Sequence, residues 1–481
     1  MANPIFNFHD TYKTLSTFFY RPLQLNFKER AEMMLWNHDL ATELNLDIKD
    51  CQHLTQVLSG QIMDVNSEPI AQAYAGHQFG HFTMLGDGRT ALLGEHLTQN
   101  NERFDVQLKG SGTTPFSRRG DGKSTFSAVL REYLFSEALH HLGIPTSRSL
   151  AAIRTSEVVD RGNAEQGGIL TRIMRSHLRV GTFEFARAVS PEHLEELFNY
   201  TIDRHFKTLK NAENPALSFL KKVMNLQMDL VLNWLRVGFI HGVMNTDNTS
   251  IIGETFDYGP CAFMGNYEPY TVFSSIDHKG RYAYAEQKNI IQWNMARLAE
   301  SLLTLIHPNE NKAIELAQEL LTDYAKEMDE MWYEMLGLKL GIIDFTLEDR
   351  KLVDEFLALM QENKKDFNHS FTYLRLPDLY KNTDFELGEN FDEWKQRWNA
   401  RLTMGEGRGN ALSLMEKVNP VYVLKNHFVE KAISEADQGD LTLLNQLLDH
   451  VKYPYTYKKE MAETFFAPDG FDESYQTFCN T

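Results

Sequence analysis

Asp247 and Asn248 stand side by side, and Asp257 follows in an Asp-Tyr-Gly-Pro run. Asn248 and Asp257 offer the hard oxygen ligands that suit Mg²⁺ or Mn²⁺, a cation that completes its shell with water and phosphate oxygens. Asp247 is placed to orient or deprotonate an attacking hydroxyl. A Gly-Asp-Gly-Arg turn at Gly86, Gly88 and Arg89 lets backbone N–H groups approach phosphate, because glycine carries no side chain. Taken alone, that turn is equally a common hairpin turn. Lys109 ends the run Phe-Asp-Val-Gln-Leu-Lys, whose strict alternation puts Phe104, Val106 and Leu108 on one face and Lys109 on the other. Lys109 then faces a cleft, where its ammonium is a point charge for phosphate oxygens. Arg172, Arg175 and Arg179 cluster in a chain otherwise short of positive charge. Arg172 and Arg179 share one helical face or mark two ends of a short connector, and two guanidiniums can converge on a triphosphate. Arg118, Arg119 and Lys123 surround Asp121 and Gly122 in a turn-rich loop suited to closing over a nucleotide.

These groups need elements to hold them. Between Gly80 and Lys109 the apolar period is that of three short antiparallel strands. Ser124 to His141 then reads as a helix of about five turns, ended by Gly143 and Pro145. It offers two acids as partner for Lys109. A helical wheel puts Glu137 near the centre of the apolar stripe and Glu132 off it, so the wheel favours Glu137. Residues 1–70 read as helix and loop, because Leu25 to Leu46 spaces its apolar positions three and four apart. Helical periodicity dominates from Pro191 onward, interrupted by a loop, a two-strand hairpin and a second loop over residues 241–260.

The chain has 481 residues, and 48 Lys and Arg against 66 Asp and Glu give a formal charge of −18. That balance argues against a large nucleic-acid footprint, which needs clustered cations to displace counterions. A hydrophobic share of 42% supports a large core and excludes global disorder. Three cysteines, Cys51, Cys261 and Cys479, are too few and too scattered for a disulfide framework. A reducing compartment is expected. The first twenty residues show no secretory or transit pattern, and no stretch of 18 uncharged apolar residues occurs. The expectation is a soluble, cytoplasmic monomer with no membrane or nucleic-acid partner.

Strands with a Gly turn, then Lys, then a Glu-bearing helix, then Asp-Asn and Asp-aromatic-Gly, follow the order of a protein kinase. The expected fold is α+β and kinase-like, with a small antiparallel-sheet lobe and a large helical lobe. Soft boundaries give a helical extension over 1–70, a small lobe over 71–180, a large lobe over 181–345 and a helical extension over 346–481. One spacing departs from kinases, which place the base Asp five residues before the metal-binding Asn. Position 243 is Val243, and the only nearby acid is Asp247.

The segments AYAGHQFGHFTMLGDGRTALLGE, QLKGSGTTPFSRRGDG, REYLFSEALHHLGIPTSRSL, TRIMRSHLRVGTFE, HGVMNTDN and DYGP together resemble the selenoprotein O family of kinase-like protein adenylyltransferases. So do DHKGRYAYAEQ, IIQWNMARLA and NPVYVLKNH, and the likeness runs in order from about residue 10 to the C-terminus. The resemblance implies ATP bound in reversed orientation, attack of a protein Ser, Thr or Tyr hydroxyl on the α-phosphate, and release of pyrophosphate. It implies nucleotide contacts from Gly86, Gly88, Arg89, Lys109, Asp121, Gly122, Arg172, Arg179 and Asp257. Asp247 resembles the base, and Asn248 and Asp257 the Mg²⁺ or Mn²⁺ ligands. The Lys109 partner in the family is the Glu of the Arg-Glu-aromatic motif, here Glu132, against the wheel. UMP transfer from UTP is a variant of the same chemistry. The competing readings are a nucleotide-binding pseudokinase acting as an interaction module and an ordinary kinase. Cys479 stands where some members carry selenocysteine or cysteine, and Cys261 is the nearest candidate for a redox contact with it.

Overall fold

A computed structural model of the chain describes residues 4–478 except 26, 406 and 469. Nine strands form one sheet: β1 (Tyr20–Pro22), β2 (Ala31–Trp36), β3 (Ile70–Gln78), β4 (His81–Gly86), β5 (Thr90–Leu97), β6 (Arg103–Lys109), β7 (Ser124–Thr125), β8 (Arg148–Asp160) and β9 (Ala164–Met174). The order is β1-β3-β5-β6-β9-β8-β2, with β4 added to β3 and β7 to β9. Neighbouring strands run antiparallel.

The two faces of β6 separate by alternation. Val106 and Leu108 join an apolar cluster with Phe6, Leu40, Leu54 and Leu58 from the first sixty residues. Lys109 points the opposite way, toward the helix Phe126–His141. The residues before 70 therefore do more than extend the chain. β1 and β2 close the two ends of the sheet, and the helices His38–Glu43 and Cys51–Leu58 cover one face. The helical spacing read over Leu25 to Leu46 is corrected here, since Ala31–Trp36 pairs with β8 as a strand. A six-residue window with apolar residues at mixed spacing fits either period, and the open edge of β8 decides it.

The helix Phe126–His141 begins at Thr125, whose hydroxyl accepts the Ala128 N–H at 3.2 Å. It packs on β8 and β9 on one side and on the helices Asn426–Asp437 and Thr442–Val451 on the other. Enclosure from both sides is why the wheel misleads: Glu132 and Glu137 are both buried, with separate partners. Glu137 accepts from Arg148 at 2.8 and 2.9 Å, whereas Glu132 pairs with Lys109. Glu137→Gln is accordingly expected to lower stability by roughly 3 kcal/mol, since it leaves the buried Arg148 with only Glu43, at 3.3 Å, as a carboxylate partner, with little change in turnover per folded molecule. A thermal melt beside a specific-activity measurement checks this.

The rest of the chain is mainly helical, led by Val180–Val189, Pro191–His205, Pro215–Val237, Gln287–Ile306 and Glu310–Lys339. Gly238, at φ +74°, ends the third of these in the left-handed conformation that glycine adopts without penalty. β10 (Phe239–Ile240) and β11 (Ala262–Phe263) then pair across the loop that carries Asp247 and Asp257. The hairpin expected inside that loop is corrected. Ser250 bridges to Arg179 and Thr255 to Thr146, so neighbouring segments take the backbone groups that a hairpin would have used. No helix among the described residues is long and apolar enough to cross a membrane.

Candidate active site

β3 to β6, β9, the loop 112–123 and the loop 241–257 surround a cleft of about 460 Å³. Gly86, Gly88, Arg89, Lys109, Asp121, Gly122, Arg172, Arg179, Asp247, Asn248 and Asp257 all line it. Glu132 lies behind Lys109 and does not.

Lys109 Nζ donates to Glu132 Oε2 at 2.6 Å and to Asp257 Oδ1. Arg172 donates from Nε to the other Glu132 oxygen at 2.7 Å, and its Nη2 lies 3.7 Å from Asp257. One buried carboxylate thus orients both cations. Burial alone would raise the Glu132 carboxyl, but Arg172 and Lys109 outweigh it and hold it below its usual value. Asp257 behaves likewise: burial is overcome by Lys109, Arg89 and Arg172, and the group stays ionised far below the ordinary range. Its backbone is left-handed, φ +66°, a conformation that Asp tolerates better than bulkier residues. That turn aims the carboxylate back at Lys109.

Arg172 ends on β9 and Arg179 precedes the helix Val180–Val189, so the pair marks two ends of a connector. A cation at a helix N-terminus is electrostatically unfavourable. The Arg179 guanidinium compensates by donating to the carbonyls of His177 and Asp247, each at 3.1 Å, and by lying 3.9 Å over the Tyr74 ring. Arg175 turns away and pairs with Glu254 at 2.6 Å.

Asp247 sits in the one-turn helix Thr246–Asn248. Its Oδ2 takes the Gln78 amide at 3.4 Å, and Oδ1 is buried without a hydrogen-bond partner. Burial pushes this carboxyl up to about 6, only partly opposed by Arg179. The Asn248 amide nitrogen donates to the Val243 carbonyl at 3.1 Å, which commits Nδ2 and leaves Oδ1 as the atom able to meet a cation. Asn248 and Asp257 therefore present an oxygen donor set that fits Mg²⁺ or Mn²⁺. No group of three His, Cys, Asp or Glu suited to a metal occurs among the described residues.

Residues 5–452 match the family described as "Protein adenylyltransferase SelO". The chain belongs to the SelO family. A relative from Pelagibacter ubique, named protein nucleotidyltransferase YdiU, is 47% identical over 479 residues, covering 99% of both chains. Relatives of the same name from Brevibacillus brevis and Clostridium perfringens are 45% and 44% identical, each covering 99% of this chain and 98% of the relative.

Several groups in this SelO chain escape a reading of the sequence. Asp87, inside the Gly-Asp-Gly-Arg turn itself, is buried with Oδ2 accepting the Gln72 N–H at 3.0 Å and Oδ1 3.8 Å from Arg179. Tyr74 and Gln78 come from the Ala-Tyr-Ala-Gly-His-Gln run, where period-two alternation aims both at the cleft. Arg161, at the β8–β9 turn, gives no signal at all. It forks onto Asp121 at 2.7 and 3.0 Å and lowers that carboxyl to about 2. Gly122, at φ +69°, lets this loop fold against Gly112, whose carbonyl a side chain would strike. Arg161→Ala is expected to raise the KM for nucleotide roughly tenfold at unchanged kcat, because the loop affects ground and transition states alike. Initial rates across a nucleotide series decide it. Cys51 is exposed and Cys261 buried, both as free thiols, and burial raises the Cys261 thiol far above its usual value. The expected contact with Cys479 lies outside the described residues.

Proposed function

We propose that this chain transfers AMP from ATP to Ser, Thr or Tyr hydroxyls of proteins, with UMP from UTP as a second donor. The sheet and the helices after it are read as the small and large lobes of a kinase-like fold, with the boundaries given above. The observation that carries the reading is the place of Asp247. It is the acid of the loop 241–248 in the cleft, it adjoins Asn248, and position 243, where a kinase base would stand, is Val243.

The acceptor hydroxyl gives its proton to the Asp247 carboxylate as its oxygen bonds to the α-phosphorus. The bond from that phosphorus to the bridging oxygen breaks, and pyrophosphate leaves. Lys109 and Arg172, held by Glu132, and Arg179, held by two carbonyls, fix the triphosphate and balance charge on the leaving group. Asn248 and Asp257 would hold a divalent cation, which would supply neutralisation of triphosphate charge. The loop around Asp121 and Gly122 and the turn at Gly86, Gly88 and Arg89 close on the nucleotide from the sheet side.

Incubation with α-labelled and γ-labelled ATP in parallel tests this. Label on protein from the α position alone, with pyrophosphate released, is the expected outcome. Transfer of the γ label with ADP release would make the chain a kinase, and nucleotide binding without transfer to any acceptor would make it a pseudoenzyme.

A further inference from the structure

The far end of β3 does something its place in the sheet does not require. Over Gly76 to Gln78 one edge of the strand pairs with β4, while no strand among the described residues lies along the other. The loop Asn245–Asp247 takes that edge. The His77 N–H donates to Thr246 Oγ1 at 2.7 Å and the Phe79 N–H to Asn245 Oδ1 at 3.1 Å. These are alternate amides, spaced as a strand partner would receive them. Between them the Gln78 side chain reaches Asp247 Oδ2. Three successive loop residues are thus met by the last two residues of β3, His77 and Gln78, and by Phe79 in the turn that follows.

Close approach is built into the sequence. A Cβ at Gly76 would fall on the Asp247 side chain, and one at Gly181 on the Ala75 carbonyl. The opposite side of the loop is fixed as well. Thr246 Oγ1 donates to Glu184 Oε2, and His77 Nδ1 meets Glu184 Oε1, so one carboxylate ties helix, strand and loop. Tyr282 donates to Asn245 Oδ1 at 2.6 Å. Apart from Asp247 itself and Gln78, none of these groups lines the nucleotide cleft.

We propose that the Gly76–Phe79 end of β3 is a template that sets the position of the Asp247 carboxylate, with Thr246 and Gln78 as positioning residues for the transfer step. This rests on Asp247 acting as the base in AMP transfer. Nucleotide is held by other residues, so loosening the template lowers kcat and spares nucleotide affinity.

The test uses the full-length enzyme with α-labelled ATP and unfolded α-casein as acceptor. Thr246→Val keeps the shape and removes both hydrogen bonds; kcat falls roughly 10²-fold, as for a small displacement of a reacting group. The KM for ATP stays within about threefold, and Thr246→Ser, which keeps the hydroxyl, restores turnover. Amide exchange at His77 and Phe79 rises in Thr246→Val and leaves the rest of the sheet unchanged. Unchanged kcat and exchange in Thr246→Val, or a KM that rises as far as kcat falls, would overturn the proposal. If Thr246→Val does not fold, Gln78→Met carries the same test, with lowered kcat and retained KM expected and unchanged kcat overturning it. Absence of label transfer by the unaltered enzyme would overturn the transferase reading alone; amide exchange would still decide whether the template holds the loop.

Discussion

Asp257→Ala is expected to reduce nucleotide transfer about 10³-fold while the protein stays folded, as for loss of a preorganised electrostatic group. Asp257 is the meeting point of the cleft's charges, touched by Lys109 and faced by Arg172 at 3.7 Å. Removing it deletes a proposed metal ligand and leaves Glu132 alone to balance two cations. The side chain is 30% exposed, so its loss opens no buried cavity. Asp257→Asn keeps the shape without the charge and is expected to fall nearly as far. Turnover at saturating nucleotide, beside a thermal melt, separates chemistry from stability. Near-normal turnover in a folded Asp257→Ala protein would take Asp257 out of the site.

The second large effect concerns Lys109 and Glu132. Lys109→Met and Glu132→Gln are each expected to lower transfer by about 10² or more, and the double substitution to be little worse than either, because the two act as one unit. Glu132→Gln carries an added penalty in stability, since the same carboxylate holds Arg172 at 2.7 Å. Multiplicative losses in the double variant would mean that Lys109 works without Glu132. The single and double variants measured under one condition settle the point.

Alternation made Lys109 legible, because a strand with one buried face has only one place for its polar residues. Eleven of the cleft residues were named from local pattern and resemblance, and the structure brings them to one cavity. The pairing of Lys109 with Glu132 rested on resemblance alone. The wheel assumes one apolar stripe, and this helix is packed on two sides, one of them by helices about 300 residues later in sequence, as the Arg131–Glu430 pair shows. Arg161 and Glu184 were invisible for the same reason: their partners, Asp121 and Thr246, lie 40 and 62 residues away. The strand character of Ala31–Trp36 was lost because a six-residue edge strand carries too few periods to be told from a helix.

The burial of Phe126–His141 beneath Asn426–Asp437 and Thr442–Val451 makes part of the cleft's support a late arrival in the chain. Arg131, next to Glu132, is anchored by Glu430 at 2.7 Å and by the Tyr475 hydroxyl at 3.1 Å, and it holds the carbonyl of Gly259 beyond Asp257 at 3.1 Å. A ribosome releases the sheet, the lysine and the loop 241–257 long before those anchors exist. The nascent polypeptide therefore carries every cleft residue before it carries Glu430 and Tyr475, which anchor Arg131 beside Glu132.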